Sequence, residues 1–398
     1  MRLIHCADLH LDSKMTSFLD AEHAKERRGE LLHTYERMIA YAVRHQVDGI
    51  LIAGDLFDTK NISRTAREVV LGSIRENPGI TFYYLKGNHD SDNFLAGVRE
   101  LPENLKLFGP SWSGYRVGRV VICGRELPAA EPRRSSSAIS GRDSTVTINI
   151  GSNSAAGMRD DDSSALNSGD SLLLDPQDFN IVLLHGQQAE SAAKDRAAVI
   201  DLRSLRGKSI DYLALGHIHS YQLEALDARG IWCYPGCLEG RGYDECGEHG
   251  FVLLDIDEER LRMRYTFVPF AGRRLYEIPV DVSGCLTMRE IARAADEAIA
   301  ESGCEARDLV KLVLTGDVDV ETERNTEYLL TGLRNRFYDV KIKDSTRLRI
   351  DVSSYALDPT LKGEFVRTVI ADAEDGDDWM TAIRYGLQAL AGEPFAEI

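Results

Sequence analysis

A chain of 398 residues is too long for one ordinary core, and two domains plus an appendage is the natural expectation. Its 43% hydrophobic and 28% charged residues exclude a disordered or fibrous chain, and no apolar run approaches the ~18 residues of a membrane span. A net charge of −17 argues against nucleic-acid binding through a generally cationic surface, so a DNA substrate would need a local basic strip or a partner to hold it.

The chain runs at once into a strand-like Leu3-Ile4-His5-Cys6-Ala7, with no basic region or apolar signal core, so a cytoplasmic location is expected. Through about residue 128 strands and helices alternate. Residues 48–53 and 81–85 are short apolar runs that end at Gly54-Asp55 and Gly87-Asn88. Leu31, Leu32, Tyr35, Met38, Ile39, Ala42 and Val43 recur at helical spacing, and a second helix opens near Ser63 and stops at Asn77-Pro78-Gly79. Apolar strands separated by amphipathic helices predict an α/β layered sheet buried on both faces.

From about 129 to 177 Ser and Asp dominate and large apolar residues are few, which reads as a mobile insertion with a short strand at Thr145-Val146-Thr147-Ile148. Strands resume at 180–184, 211–215 and 251–255. Seven scattered cysteines argue against a disulfide framework. Cys233, Cys237 and Cys246 lack a paired C-x-x-C spacing and read as free thiols rather than a zinc site. The order changes after about Phe270. A strand at 275–282 precedes a helix opened by the capping box Thr287-Met288-Arg289-Glu290. A strand (309–314), a helix (326–337) and strands at 340–342 and 348–352 follow. The predicted organisation is therefore an α/β catalytic domain over 1–270, a small α+β domain over 271–355, and C-terminal helices over 356–398. In the last of these, Trp379, Ile383, Leu387 and Leu390 form one apolar stripe, which is either packed on the small domain or an anchor for a partner.

Five polar motifs each follow a strand-like run: Asp8-Leu9-His10, Gly54-Asp55, Gly87-Asn88-His89-Asp90, His185-Gly186 and Gly216-His217-Ile218-His219. Open α/β folds place their sites at the carboxyl ends of strands. Side chains two apart in an extended segment point the same way, so Asp8 with His10, and His217 with His219, are ready chelating pairs. Any one motif alone has a bland reading, such as a helix cap at Asp55 or a core histidine at His185. All five in order, behind buried strands, do not. The mixture of imidazole, carboxylate and one amide oxygen suits Mn, Fe, Zn or Ni better than Ca or Mg. Two ions ~3.5–4 Å apart need a bridging carboxylate, and Asp55 is the obvious one.

These motifs in this order resemble the calcineurin-like metallophosphoesterase superfamily. The resemblance implies an α/β-sandwich holding two divalent ions, with Mn foremost. Asp8, His10, Asp55 and His219 would hold one ion, and Asp55, Asn88, His185 and His217 the other. His89 would be the catalytic histidine beside the leaving group. Asp58 matches the position that orients it, or is a simple turn residue. Residues 5–11, Gly54-Asp55-Leu56-Phe57-Asp58 and Tyr234-Pro235-Gly236 are similar to the nuclease branch, that of the nuclease component of the bacterial SbcCD complex. This implies a DNA exo- or endonuclease in DNA repair, with a small domain that caps the cleft and contacts DNA. It also implies helices that dock on the coiled-coil base of an SMC-like ATPase, and it leaves a homodimer open. The chain departs from the branch at Asp12, where Gly is usual, and at Cys237, where Ser is usual, which puts processive exonuclease activity in question. A small-molecule phosphodiesterase or phosphatase of the same chemistry is the alternative, and a non-catalytic scaffold is disfavoured because every ligand is retained.

Overall fold

Strands that are apolar on both faces must be covered from both sides, and that requirement builds the first half of the molecule. The computed structural model describes residues 1–15, 19–58, 62–128, 166–169, 172–188, 198–319, 322, 325–349, 352–373 and 378–390. The expected strand at 145–148 lies outside them. Strands β1 (Arg2–Cys6), β2 (Gly49–Ala53), β3 (Thr81–Leu85) and β4 (Leu105–Leu107) pair in parallel and in chain order. Helices α1 (Ala21–Arg44) and α2 (Arg64–Glu76) cover their outer face through Tyr35, Met38, Val70 and Ile74. Helix α2 keeps its expected limits, from N-cap Ser63 to C-cap Asn77. Helix α1 starts well before Leu31, at N-cap Asp20. In its first turns only Ala24 and Arg27 are buried, so no apolar period marks them.

The second sheet is assembled from β5 (Trp112–Val117), β6 (Val120–Gly124), β7 (Leu166–Gly169), β8 (Phe179–His185), β11 (Tyr212–Gly216), β12 (Gln222–Ala225) and β13 (Ile231–Tyr234). Their order is β12-β13-β11-β8-β6-β5-β7. The short pair β9 (Gln187–Gln188) and β10 (Val199–Ile200) and helix α3 (Leu202–Leu205) lie between β8 and β11 in the chain. The hairpin β14 (Gly250–Asp257) and β15 (Arg262–Pro269) returns to the first sheet, whose order becomes β15-β14-β1-β2-β3-β4. Leu3, Leu51 and Tyr83 meet Ile122, Ile181 and Leu183 between the sheets. Two facing sheets with helices outside form the predicted α/β-sandwich. Strand β7 falls inside the stretch read as an insertion; it pairs with β5 at the sheet edge, where backbone hydrogen bonds suffice without an apolar sequence.

Between β13 and β14 the chain crosses the edge of the sandwich, and a buried ionic knot holds this crossing to α1. Glu239, fully buried, accepts from Arg27 Nη1 (3.2 Å), Thr34 Oγ1 (2.9 Å) and the backbone N–H groups of Gly272 (2.8 Å) and Arg273 (3.1 Å). Arg27 Nη2 donates to Gly240 O at 2.6 Å.

The chain divides into two compact units, Met1–Leu275 and Tyr276–Ile398. The boundary falls at the first residue of β16 (Leu275–Asp281), and the second unit holds the rest of that strand with α4 (Met288–Ser302), β17 (Leu309–Thr315), β18 (Asp317–Val318), α5 (Thr326–Leu333), β19 (Asp339–Asp344), β20 (Arg347–Leu348), α6 (Leu361–Asp372) and α7 (Trp379–Leu390). Its main sheet has the order β16-β17-β19, with one face covered by Ile291, Ile299 and Leu329 of α4 and α5. Thr287 and Glu290 make the expected capping box. Val366, Ile383 and Leu387 form a separate small core. The apolar stripe of α7 is thus closed against α6 at its middle, and Leu390 at its end stays exposed.

Replacing Arg27 by Met leaves Glu239 buried without its guanidinium partner. Breaking a buried ion pair from one side costs ~3–5 kcal/mol, and the other donors to Glu239 put the expected loss at the lower end. Urea unfolding of Arg27→Met measures it, and wild-type stability contradicts the assignment.

Candidate metal centre

Asp8, His10, Asp55, Asn88, His217 and His219 stand just past the ends of their strands, where the backbone leaves regular geometry, and His185 is the last residue of β8. Asp8 (φ 51°), His10 (φ 43°), Asp55 (φ 51°) and His217 (φ 108°) all adopt positive φ. Non-glycine residues held this way cost about 1–3 kcal/mol each and persist only where their surroundings over-determine them. The surroundings here are hydrogen bonds that continue the β1–β2 ladder beyond the strands. Asp8 N–H donates to Gly54 O (3.0 Å), His10 N–H to Asp55 O (3.0 Å) and Leu11 N–H to Leu56 O (2.9 Å). The Asp90 carboxylate joins two of the motifs, accepting from the N–H groups of Leu56 (3.2 Å), Phe57 (2.9 Å) and Gly87 (3.0 Å). Gly87 is required by close approach, because a Cβ there would strike the Asp55 carboxylate.

The motifs converge from both sheets. Asp8, His10 and His219 form one group of ligand atoms within 4.8 Å of one another, and Asp55, His185 and His217 form a second. Asp55 Oδ2 lies 3.3 Å from His185 Nε2 and 3.8 Å from His10 Nε2, so it faces both groups. Asp55 Oδ1 accepts the His89 N–H at 2.8 Å. Asn88 Oδ1 is 2.9 Å from His185 Nε2. The Asp8 carboxylate accepts the His217 N–H at 3.0 and 2.9 Å, tying β1 to β11 across the sandwich.

Asp58 and His89 are adjacent to these groups, and both face His10. Asp58 Oδ1 sits 3.1 Å from His10 Nδ1 and 3.9 Å from His89 Nδ1, and the closer approach to His89 is the Asp58 carbonyl oxygen at 3.3 Å. His89 is exposed, and its ring meets the His10 ring edge-on at 5.0 Å.

Sequence reasoning missed a further layer, Arg241 and Glu245, in the crossing before β14. Glu245 Oε1 lies 2.6 Å from His219 Nδ1, and Arg241 donates to Glu245 Oε1 (2.8 Å) and to Asp58 Oδ1 (3.1 Å). The signal was a cluster of charges, Glu239, Arg241, Asp244 and Glu245, among glycines behind the Tyr-Pro-Gly turn, with no periodicity to place it. The departures also find their physics. Asp12 adopts φ 70°, a conformation that glycine enters freely, and its carboxylate accepts the Ser63 N–H at 2.7 Å. Cys237 is fully buried, with Sγ 3.2 Å from His249 Nδ1 and 3.7 Å from Glu245 Oε2.

Electrostatics follow the crowding. Burial pushes Asp8 up; burial also acts on Asp55, but His185, His10 and the His89 N–H outweigh it and hold that carboxyl well below the usual range. Burial lowers His185, yet Asp55 and Asp8 carry it up to about 9. Burial takes His10 down to about 4 against the pull of Asp58.

The donor chemistry fits divalent ions. His10 Nδ1 and His219 Nδ1 both face carboxylate oxygens, while their Nε2 atoms point at each other 3.2 Å apart. A ring that keeps its proton on Nδ1 presents a lone pair at Nε2, and two such lone pairs in contact call for a cation between them.

The family pattern described as Calcineurin-like phosphoesterase matches residues 1–221. The chain is 30% identical over 421 residues to the Bacillus subtilis (strain 168) protein named "Uncharacterized metallophosphoesterase YhaO", covering all of this chain and 95% of that one. It is 25% identical over 348 residues to "DNA double-strand break repair protein Mre11" of Aeropyrum pernix, covering 81% and 75% of the two chains. It is also 24% identical over 270 residues to the protein of the same name, Mre11, of Sulfurisphaera tokodaii, covering 64% of this chain and 59% of that one. The chain belongs to the calcineurin-like phosphoesterases, and it is a metal-dependent phosphoesterase of the hydrolase class. No helix among the described residues is long and apolar enough to cross a membrane.

Because Asp90 receives three backbone N–H groups, Asp90→Ala strands donors in two motif loops at once. Hydrogen bonds to charged groups contribute ~1.5–3 kcal/mol each, so a loss of at least ~2 kcal/mol is expected. Thermal melts together with metal analysis check this, and an Asp90→Ala protein with wild-type stability and metal content contradicts it.

Proposed function

We propose that the chain is a two-metal phosphodiesterase acting on DNA, a nuclease of DNA repair that works with an SMC-like ATPase. The observation that carries the two-metal reading is Asp55 Oδ2, which stands within 3.3 Å of His185 Nε2 and 3.8 Å of His10 Nε2, one from each group of ligands. In this reading Asp8, His10, Asp55 and His219 hold one ion, and Asp55, Asn88, His185 and His217 the other. The imidazole-rich donor set favours Mn. Such ions, when bound, supply Lewis-acid activation of water and charge neutralisation on the phosphoryl group.

The chain's own side chains do the rest. Asp8 and Asp55 present negative charge in a buried pocket, and their tethers to the backbone keep them in place without reorganisation during the reaction. His89, exposed at the mouth, donates from Nδ1 to the Asp58 carbonyl and uses Nε2 for the proton of the leaving oxygen. Asp58 fixes His10 more directly than His89.

DNA as the substrate is favoured by the names of the relatives of Aeropyrum pernix and Sulfurisphaera tokodaii. On the open sheet face of the second unit Lys341 and Lys343 are exposed, but Lys311 beside Lys341 is paired with Glu277 at 2.6 Å, so in this reading a partner supplies the further cations that a chain at −17 lacks. In this reading residues 1–270 are the catalytic domain, 271–355 are a small α+β domain, and the α6–α7 pair meets the ATPase through side chains such as Leu361, Tyr385 and Leu390 that the hairpin leaves exposed. The location is cytoplasmic. The second reading, a small-molecule phosphodiesterase, rests on the B. subtilis relative, whose name specifies only a metallophosphoesterase.

Cleavage of linear DNA, bis-p-nitrophenyl phosphate and cyclic nucleotides by the Mn-loaded protein separates the readings; DNA left intact while cyclic nucleotides are cleaved contradicts the nuclease. Asp55→Asn should bind less than one ion per chain and lose activity, and two tightly bound ions in that variant contradict the bridge. His89→Gln should keep its metal and lose ~10²–10⁴-fold in turnover, the usual weight of a general acid. Wild-type rates would remove it from the chemistry.

A further inference from the structure

We propose that Arg241 is a positioning residue that binds the carboxylates of Asp58 and Glu245 into one bracket behind His10 and His219, and that this bracket sets the affinity of only one of the two metal sites. The inference rests on the ligand assignment above and adds a difference between the two sites.

The geometry is asymmetric. Behind the Asp8–His10–His219 group stand two anions: Glu245 Oε1 is hydrogen-bonded to His219 Nδ1 at 2.6 Å, and Asp58 Oδ1 lies 3.1 Å from His10 Nδ1 as a charge contact without hydrogen-bond alignment. In the second group, His185 Nδ1 faces a neutral acceptor, the Ala53 carbonyl at 2.9 Å. A carboxylate behind an imidazole fixes its tautomer and strengthens its donor nitrogen more than a carbonyl does. Left to themselves, two carboxylates on adjoining ligands repel each other and their side chains are free to rotate away. Arg241 removes both problems. Its Nη1 reaches Asp58 Oδ1 (3.1 Å), its Nη2 reaches Glu245 Oε1 (2.8 Å) and also stands 3.2 Å from His219 Nδ1, and its own backbone N–H donates to Glu245 Oε2 (2.7 Å). The side chain is 17% exposed, so these bonds are made largely out of water.

A planar guanidinium is suited to this span and an ammonium is not, since only the fork offers two donors in fixed directions. One cation against two carboxylates leaves the bracket with a net negative charge, which draws a dication to the adjoining imidazoles. The same guanidinium stands at Asp58, where His10, Asp58 and His89 offer a third group of ligand atoms within 4.8 Å of one another. With Arg241 in place, a cation in that third group would meet a like charge, so the bracket also keeps His89 free of metal.

The test titrates the metal-stripped full chain with Co²⁺, following heat and the visible ligand-field bands. Wild type should bind two ions. In Arg241→Met one site should weaken by about 10–100-fold, the usual consequence of losing the partner behind a ligating histidine, while the other is unchanged. Glu245→Gln, which conserves volume, should weaken the same site, and Arg241→Lys should fall between wild type and Arg241→Met. Should Arg241→Met not fold, Glu245→Gln decides alone. Equal affinities in wild type and variants, or equal weakening of both sites, overturn the bracket. Fewer than two ions in wild type overturns the ligand assignment first, and the bracket with it.

Discussion

The structure depends on one unfavourable crowding: buried carboxylates and imidazoles held so close that only a cation completes them. Asp8 and Asp55 are each 1% exposed or less, with His10 and His185 beside them, and an ionised carboxylate in such a place is costly unless charge or hydrogen bonds meet it. Some compensation is internal, since Asp55 accepts the His89 N–H and Asp8 accepts the His217 N–H. The remainder is directed inward, at the point where His10 Nε2 and His219 Nε2 approach to 3.2 Å. The strained φ angles of Asp8, His10, Asp55 and His217 serve the same end, because they turn side chains off the strand ends toward one point.

Everything around that point makes the arrangement rigid. The two sheets deliver ligands from opposite sides, β1, β2 and β3 from one and β8 and β11 from the other. The apolar layer between the sheets, Leu3 and Leu51 against Ile181 and Leu183, sets the spacing the ligands inherit. The crossing after β13 is held in turn by the Arg27–Glu239 pair, and it carries Arg241 to Asp58 and Glu245 to His219.

Legibility in the sequence depends on whether a residue breaks a pattern. The five motifs stand out because polar residues directly behind buried strands need a reason, and family resemblance turns that need into named ligands. The sandwich follows from the same strands. Arg241 and Glu245 are not legible, because charged residues in a glycine-rich crossing look like any solvated turn until the fold brings them against His219 and Asp58. Family resemblance pairs Asp58 with His89, whereas its carboxylate lies closer to His10. The start of α1 is hidden by a charged surface, β7 by a sequence that only its backbone pairing explains, and the fate of the α7 stripe by the lack of any signal that α6 folds against Ile383 and Leu387.

The position of metal relative to Asp55 and the histidine rings is the deciding quantity, and anomalous diffraction from crystals of the Mn-loaded protein locates it directly. Two peaks are predicted ~3.5–4 Å apart, with Asp55 reaching both and His10, His185 and His219 each approaching through Nε2. A single peak, or one lying between Asp58 and His89, would contradict the two-metal centre.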